Sequence, residues 1–507
     1  MRKTQFFLVM ILAVAVATPA FAAVENVKLS GDITVRGFYR SDYALGGDGN
    51  GEEVTTYNGS QFAGKDQQRF FTNTVRLRVN ADLTENISGE IELLNQRDID
   101  PPSGGAQGSG LVSSAPISGS SVAPSAANDQ FDVILNLANI TIKELYYPEL
   151  TVKIGRQNIQ WGEGFVLGNS QLGNPDPSNS LSADEFSAFN SFDAIRALVN
   201  KDNWHFDLVA AKIQENRVNA DDDQNLFGIN IGRTFDQYSA EGEVYFLRSQ
   251  DGSTVGPLGD VYSKTEQINA FGTRGSIRPF DRLKLSGETV FEFGEEGGAG
   301  AGTPVGSASA SSTAQAFTLN GRERQQIVAW AYDARAEWEW RESPWPATLG
   351  AEWVFYSGED RDEGDNHSSH YRPLFRGKYH SAIREFQGHF YFPNVGVTPG
   401  YTNQHQIMAD AAFHPFNNKD LTFFTRWLHF WFDETPFEGR GKTIGNEWLN
   451  KLSYDYTEDL KLTLIGSIFW PGDYFETDAP APNSFGGVSS QANEPAKELV
   501  AELALAF

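Results

Sequence analysis

The sequence ends in Ala501-Glu502-Leu503-Ala504-Leu505-Ala506-Phe507, where Leu503, Leu505 and Phe507 alternate with small or polar residues. Successive side chains of a β-strand point to opposite faces, so this pattern gives the segment one apolar face. We therefore predict a terminal amphipathic strand that finishes on an aromatic residue. Such a strand is typical of a β-barrel embedded in a membrane.

The other end of the sequence has the features of an export signal. Basic residues Arg2 and Lys3 precede an apolar run from Phe6 to Ala17, and Ala20-Phe21-Ala22 forms a small-x-small cleavage site. We predict a signal peptide over 1–23 and a mature domain over 24–507. The apolar run is too short to span a bilayer as a helix. An exported chain with such a terminal strand predicts a location in a bacterial outer membrane.

Composition narrows the fold class. Mean hydropathy is −0.40, which excludes a helical inner-membrane bundle. A strand barrel stays possible because only every second residue of a strand needs to face lipid. Aromatic residues make up 13% of the chain, which suits aromatic girdles at the two membrane interfaces.

Charge and cysteine content exclude several functions. The formal net charge of −26 argues against nucleic acid, which requires a basic binding surface. The acidic residues suit loops that bind divalent cations at a bacterial surface or that simply keep long loops soluble. The chain contains no cysteine, so disulfides, thiolate metal sites and covalently attached c-type haem are excluded.

Segments with a two-residue hydrophobic period recur along the chain and predict its strands. They lie at 28–40, 69–84, 87–97, 131–146, 150–159, 190–200, 203–214, 226–235, 238–249, 266–278, 282–294, 325–340, 346–357, 403–414, 420–432, 445–456, 459–470 and 496–507. We predict an all-β fold with a single transmembrane antiparallel β-barrel of about 18 strands, an even number as in single-chain bacterial barrels.

The connections alternate in length, which supports the barrel. Short turns are predicted around Asn86, Pro148, Asp202, Asp236, Phe280, Trp345, Asn417 and Glu458, with long segments such as 41–68, 98–130, 160–189, 295–324, 358–402 and 471–495 between them. This pattern predicts short periplasmic turns, long extracellular loops and both termini in the periplasm. Residues 103–128 and 297–316 are rich in small residues and are expected to be mobile.

Alternation also assigns charged residues to the bore. In the stretch Val75 to Asp82 the apolar residues share one face, so Arg76 and Arg78 are expected to point inward. A charge facing lipid at the midplane costs about 2–4 kcal/mol, which favours this arrangement. The pore-lining candidates are Arg36, Arg76, Arg78, Arg156, Arg196, Arg274, Arg335, Arg426, Glu241, Glu243, Glu288, Glu292, Asp333 and Glu337. Most are expected to pair across strands, and the mixed lining suits a water-filled channel.

Several motifs resemble the alginate export family of outer-membrane channels. These are Ile154-Gly155-Arg156-Gln157 with Trp161-Gly162-Glu163-Gly164, Phe192-Asp193-Ala194-Ile195-Arg196, Tyr356-Ser357-Gly358-Glu359-Asp360 leading to Arg372-Pro373-Leu374-Phe375, and Phe469-Trp470-Pro471-Gly472-Asp473-Tyr474-Phe475. The resemblance implies a monomeric barrel that passively conducts a hydrophilic solute. In the best-known members that solute is a polyanionic uronic-acid polysaccharide, and the bore is lined with arginine and lysine.

Two features separate this sequence from that pattern. Arg156 and Arg196 stand at motif positions, but strict alternation turns Arg156 toward lipid, so an inward Arg156 requires a bulge or a place at the rim. The acidic bore candidates would repel a polyuronate unless arginines dominate the constriction. The resemblance therefore implies the family and leaves the solute open.

No catalytic constellation accompanies the eight histidines, so we predict neither an enzyme nor a cofactor. The loop containing Asp360, Asp362 and Asp365 offers oxygen ligands at a density that suits calcium, although acidic loops are commonly just solvated. The 160–189 loop is long enough either to fold into the lumen as a constriction or to remain an ordinary extracellular loop.

Three functions follow as hypotheses: export of an anionic polysaccharide, uptake of small solutes through a general porin, or a sheath around a multihaem cytochrome partner. The expected partners are the transported solute, outer-membrane lipid and lipopolysaccharide, the barrel-assembly machinery and an unknown periplasmic protein. Nucleic acid is not expected.

Overall fold

The computed structural model of the protein describes residues 26–42, 55–57, 60–62, 67–98, 133–168, 191–214, 223–252, 266–297, 324–342, 344–358, 367–375, 383, 402–435, 441–474 and 494–507. The signal peptide predicted over 1–23, most of the two loops rich in small residues, and the calcium candidates Asp360, Asp362 and Asp365 lie outside these residues. The described part of the chain contains no helix that is long and apolar enough to cross a membrane.

Eighteen antiparallel strands form one closed barrel. The first nine are Asn26–Ser41 (β1), Gln67–Thr84 (β2), Ile87–Asp98 (β3), Ile134–Lys143 (β4), Leu150–Gln157 (β5), Phe192–Lys201 (β6), Trp204–Gln214 (β7), Gln224–Phe235 (β8) and Ala240–Asp251 (β9). The others are Glu266–Phe280 (β10), Leu283–Gly297 (β11), Arg324–Trp340 (β12), Ala347–Tyr356 (β13), Gln404–Phe413 (β14), Leu421–Phe432 (β15), Thr443–Asp455 (β16), Leu460–Pro471 (β17) and Ala496–Ala506 (β18).

Each strand pairs with its neighbours in sequence, and β18 closes the barrel by pairing with β1 from Asp32↔Ala506 to Ser41↔Lys497. The seam ends in two backbone hydrogen bonds between Gly31 and Phe507, each of 2.9 Å. Within the described residues, closure leaves the eighteen-strand wall without a free edge strand, which a membrane-spanning sheet requires. The predicted fold, including the terminal strand, is confirmed.

Every predicted strand interval overlaps an observed strand, and the eight short turns join the strand pairs that the sequence indicated. Two smaller strand pairings are not part of the barrel wall: Thr55–Tyr57 pairs with Ser60–Phe62, and His367–Ser368 pairs with β12 in parallel. The wall thus has one end with short turns, which we call the short-turn end, and one with long connections, the long-loop end.

The outer face of the barrel is apolar and aromatic. Leu462, Leu464, Leu499, Leu503 and Leu505 are exposed on the outer face of β17 and β18. Trp338 and Trp340 of β12 are also exposed. Such a surface matches hydrocarbon, with aromatic rings at the boundary regions.

Candidate channel lumen

Ion pairs line the inner face where the barrel closes. Strands β18, β1, β2 and β3 contribute Arg36–Glu502 at 2.8 Å, Arg40–Glu498 at 2.7 Å, Arg76–Asp32 at 2.7 Å and Arg78–Glu92 at 2.5 Å. The paired groups sit on adjacent strands because inward residues in register are near neighbours. The guanidinium groups on this side are therefore neutralised where they stand.

Arg274 of β10 stands in a cluster of acidic residues. Its guanidinium contacts Glu241 at 2.8 Å and Glu243 at 3.4 Å, both from β9, and Glu163, which comes from the connection after β5. Glu288 faces Arg274 in the register of β10 and β11. One cation thus stands among several carboxylates, and the local charge is negative.

Arg335 of β12 lies in a similar environment. It contacts Glu337 at 3.1 Å, Glu352 at 2.9 Å and Asp410 at 2.7 Å. Asp410 also lies 3.6 Å from Arg426 of β15. Asp333, the remaining acidic candidate on this strand, is buried. Acidic groups therefore match or exceed the arginines in this part of the wall as well.

The two arginines at the motif positions differ in placement. Arg196 of β6 points inward and donates to Asp207 at 2.9 Å, where Asp207 is fully buried. Arg156 lies on the outer face of β5, which it shares with exposed Ile154, and it pairs with Asp193 at 3.2 Å. No bulge turns Arg156 inward in the β5 pairings. The expectation that it lines the bore is therefore corrected: strict alternation sets its face.

A segment from the connection after β5 enters the lumen. We call residues 158–168 segment A. Its Trp161 is buried and donates through Nε1 to Asp207 at 2.6 Å, and the backbone N–H of Glu163 donates to Glu288 at 3.0 Å. Phe165 stacks on Tyr356 with 5.4 Å between ring centroids. These contacts reach inward residues of β7, β11 and β13, so segment A crosses the interior of the barrel.

Two glycines provide the space for segment A. A Cβ on Gly228 of β8 would lie 2.5 Å from Cη2 of Trp161, which is closer than packed atoms approach. Gly162 has φ +58°, and a Cβ there would lie 2.4 Å from Oε2 of Glu288. Gly228 thus leaves a socket in the wall for Trp161, and the absence of a side chain at Gly162 lets segment A lie directly against Glu288. The motif Trp161-Gly162-Glu163-Gly164 is thus the part of the segment that docks into the wall.

A second inward segment comes from the connection after β13. We call residues 367–375 segment B. It joins segment A through backbone hydrogen bonds from Phe375 to Val166 at 2.9 Å and from Gly168 to Phe375 at 2.8 Å. The N–H of Arg372 donates to Glu292 at 2.9 Å. The stretch carries the family motif Arg372-Pro373-Leu374-Phe375, but no hydrophobic period in the sequence marks it as an inward segment.

The two segments complete an apolar core at the long-loop end of the lumen. Its wall members include Leu226, Leu247, Ile268, Val290, Ile327, Val354, Met408, Leu428 and Phe430, and the segments add Trp161, Phe165, Val166, Leu167, Tyr371 and Phe375. Burying these side chains stabilises the docked segments, at about 25 cal/mol for each Å² of apolar surface. Glu288 and Glu292 of β11 lie within this region as buried acceptors, one for each segment.

Ion pairs and hydrogen bonds line the described part of the lumen. Over the described ranges, no group of three or more His, Asp or Glu residues is arranged to hold a metal ion. Burial, together with the charge of Arg372, lowers the pKa of His370 in segment B to about 3, although part of the residue remains accessible. This histidine is therefore neutral at neutral pH.

A closed barrel with a lipid-facing aromatic surface and a charged lumen defines an outer-membrane channel of the porin type. The sequence profile of the alginate export family matches residues 25–488. The chain belongs to this family, as its motifs suggested, and its location is the bacterial outer membrane. No curated protein sequence matches the chain.

Solved porin structures share the fold. A BenF-like porin from Pseudomonas fluorescens Pf-5 superposes with a TM-score of 0.51 at 10% identity, covering 96% of this chain and all of the other (100%). OccAB1 from Acinetobacter baumannii gives 0.51 at 10% identity, with coverages of 96% and 100%. OccK8 (OprE) from Pseudomonas aeruginosa gives 0.50 at 11% identity, with coverages of 96% and 99%. At these identities the likeness concerns the fold.

Proposed function

We propose that the protein is a passive channel for small hydrophilic solutes and that its lumen is too acidic and too constricted to export a polyuronate. The observation that carries this proposal is the pairing of the inward arginines. Arg274 and Arg335 each contact three carboxylates. A linear polyanion needs a continuous run of unneutralised cations, and carboxylates placed beside the arginines remove it.

Segments A and B support the same conclusion. They occupy the long-loop end of the lumen between β7 and β13 and pack into its apolar core. A narrowed passage admits solutes by size, as in general porins. A lumen that already contains its own chain also counts against the cytochrome-sheath hypothesis. Family membership favours polysaccharide export as the second candidate function.

Single-channel recording in planar bilayers tests the proposal. Reversal potentials under a salt gradient come first, followed by conductance with added uronic-acid oligomers and, as the control, neutral oligosaccharides of equal length. We expect weak or cation selectivity, with no block that is specific to the acidic oligomers. Anion selectivity with block by uronic-acid oligomers alone would contradict the proposal and favour export.

A further inference from the structure

The outer face of β15 and β16 carries three cross-strand pairs of polar and indole side chains. The paired residues are Thr425 with Asn450, Trp427 with Trp448, and His429 with Asn446. They alternate along each strand with inward residues, and the two indoles are each 45% exposed. We call these six residues the polar band.

The polar band lies in the part of the wall that faces hydrocarbon. Phe423 and Trp431 stand on the same face of β15, two residues before and two residues after the band. From one ring to the other the strand rises roughly 20 Å, at 3.3 Å per residue and a tilt of about 40°, which falls within an apolar belt about 25 Å tall. Leu464 and Ile468 of the adjacent strand β17 are aliphatic, as this environment requires.

Hydrogen bonds within the band satisfy only part of its polar groups. Nε1 of Trp448 donates to Oγ1 of Thr425 at 2.9 Å, and Thr425 donates to Oδ1 of Asn450 at 2.9 Å. Nδ1 of His429 donates to Oδ1 of Asn446, also at 2.9 Å. This leaves Nε2 of the neutral imidazole as an acceptor.

The remaining polar atoms of the band face outward. Within the described part of the chain, no acceptor receives Nδ2 of Asn446 or of Asn450, and no donor reaches Nε2 of His429. Acyl chains cannot form these hydrogen bonds either, so exposure to lipid alone is unfavourable. A protein partner in the membrane would satisfy them.

A second copy of the chain supplies the missing groups at the same depth. All copies have the same orientation in the membrane, so the twofold axis of a dimer is parallel to the membrane normal. If this axis passes between β15 and β16, His429 faces Asn446 of the second copy, and Asn450 faces Thr425 of the second copy. Nδ2 of Asn446 then has an imidazole acceptor, and Nδ2 of Asn450 has the second lone pair of Oγ1.

Symmetry forms each of these hydrogen bonds twice. A different membrane protein would need its own polar groups at both depths, whereas a second copy has them already. The neighbouring outer residues of β13 and β14 are small: Ala351 pairs with Ala409, and Ala409 and Ala411 adjoin Trp427 and Thr425. Small residues beside polar ones let membrane-embedded surfaces approach closely.

We propose that two copies of the protein associate side by side in the outer membrane through the polar band. The indoles of Trp427 and Trp448 pack at the centre of the contact, with a hydrogen-bonded row on either side. Each barrel keeps its own lumen, so this surface is independent of the transported solute. The dimer departs from the monomer that the family resemblance implies.

Distances between spin labels in two copies test the proposal. Glu458→Cys places a label in the short turn after β16, and Asp202→Cys places one in the short turn between β6 and β7, on the opposite side of the barrel. The absence of native cysteine makes the labelling specific. Each full-length variant is reconstituted into vesicles of phosphatidylethanolamine and phosphatidylglycerol and measured by double electron–electron resonance.

The dimer predicts different distances for the two labels. Eighteen strands about 4.8 Å apart give a barrel about 35 Å across. We therefore expect a distance below about 30 Å between labels at position 458 and beyond about 60 Å between labels at position 202. No short distance at position 458 would overturn the second copy and leave a different membrane protein as the occupant. Short distances at both positions would also overturn the proposed face.

A double variant tests whether the band holds the dimer. Asn446→Leu with Asn450→Leu, in the Glu458→Cys background, removes both free donors and leaves residues that suit lipid. We expect the fraction of short distances to fall about fivefold, with single-channel conductance unchanged as the check on folding. An unchanged fraction would show that the band does not hold the two copies together.

Thr273→Leu with Thr289→Leu is the matched control. These two residues also form an exposed cross-strand pair on the outer face, in β10 and β11. Thr273 already donates to the backbone oxygen of Glu243 at 3.3 Å. In the same Glu458→Cys background, this control should keep the wild-type fraction of short distances. An equal loss in the control would mean that any outward polar pair has this effect, which would contradict the assignment to β15 and β16.

Discussion

Trp161 can dock on the barrel wall because position 228 has no side chain. Its indole fills the space over Gly228 and donates to Asp207, which also receives Arg196. A hydrogen bond to a buried carboxylate contributes about 1.5–3 kcal/mol, more than a neutral pair. The local geometry at one glycine therefore helps determine whether segment A stays inside the lumen.

Adding a methyl group at position 228 should displace segment A. In Gly228→Ala, the new Cβ would overlap Trp161 and approach Leu247 to 2.7 Å, and overpacking of this kind costs about 1–3 kcal/mol. We expect higher or noisier single-channel conductance. Gly232→Ala is the matched control on the same face of β8, because its nearest neighbour would lie at 3.7 Å. Equal conductance in both variants would argue against the socket.

Acidification should loosen segment B through His370. Its folded pKa of about 3 lies below the ordinary value of about 6.5, so the released segment binds more protons between these values. The contribution of His370 to docking is complete above about pH 6.5 and is lost as the pH falls toward 3. Conductance recorded from pH 7.5 to pH 4.5 should become less steady in wild type. His370→Gln should flatten this pH dependence. A pH profile of the variant that is identical to that of wild type would refute the role of His370.

Individual side chains show why alternation predicts a face but not a partner. The two-residue period assigned Arg36 to the interior, yet its carboxylate partner Glu502 lies 466 positions away in the sequence. That proximity depends on barrel closure, which no local pattern encodes. For Arg156, the family motif predicted a position in the bore, whereas alternation predicted the outer face. The structure places Arg156 on the outer face, where it pairs with Asp193.

At the scale of elements, strands were predictable because two independent signals coincide. Alternating hydrophobicity marked each strand, and turn residues such as Asn86 and Asp202 marked the short connections. Segments A and B lack any period, because their conformation depends on contacts with β7, β11 and β13. Only the length of the 160–189 connection and its glycines indicated that it was able to fold inward.

Glu288 and Glu292 of β11 each accept a hydrogen bond from one of the two segments. Replacing one of these carboxylates should therefore release the segment that it holds. Glu288→Leu leaves the N–H of Glu163 and the hydroxyl of Tyr245 without their acceptor. Burying unsatisfied donors costs about 1–3 kcal/mol each, which should free segment A and raise conductance. Thr289→Leu, on the lipid face of the same strand, should leave conductance unchanged. A wild-type conductance for Glu288→Leu would show that Glu288 does not hold the segment.

For the whole molecule, the balance of charge in the lumen should set its selectivity. Glu241→Gln with Glu243→Gln removes two negative charges beside Arg274 while keeping polar groups for Ser276 and Asn230. We expect the reversal potential to shift toward anion preference at 0.1 M salt and to change little at 1 M, where the screening length falls from about 10 Å to about 3 Å. Asp193→Asn, on the outer face, is the control. A shift of equal size in the control would rule out a lumenal origin.

Barrel closure requires the whole chain, because the first and last strands, β1 and β18, must pack closely at the seam. A Cβ on Gly31 would lie 2.5 Å from the backbone oxygen of Arg76 and 2.8 Å from Cζ of Phe507, so the seam has no room for a methyl group. Because backbone cannot yield cheaply, we expect Gly31→Ala to lower the free energy of unfolding by about 1–3 kcal/mol. Gly466→Ala in β17 is the control, since its nearest neighbour would lie at 3.9 Å. Denaturant titration in vesicles checks both variants: equal midpoints would mean that the seam between β1 and β18 can be repacked without loss.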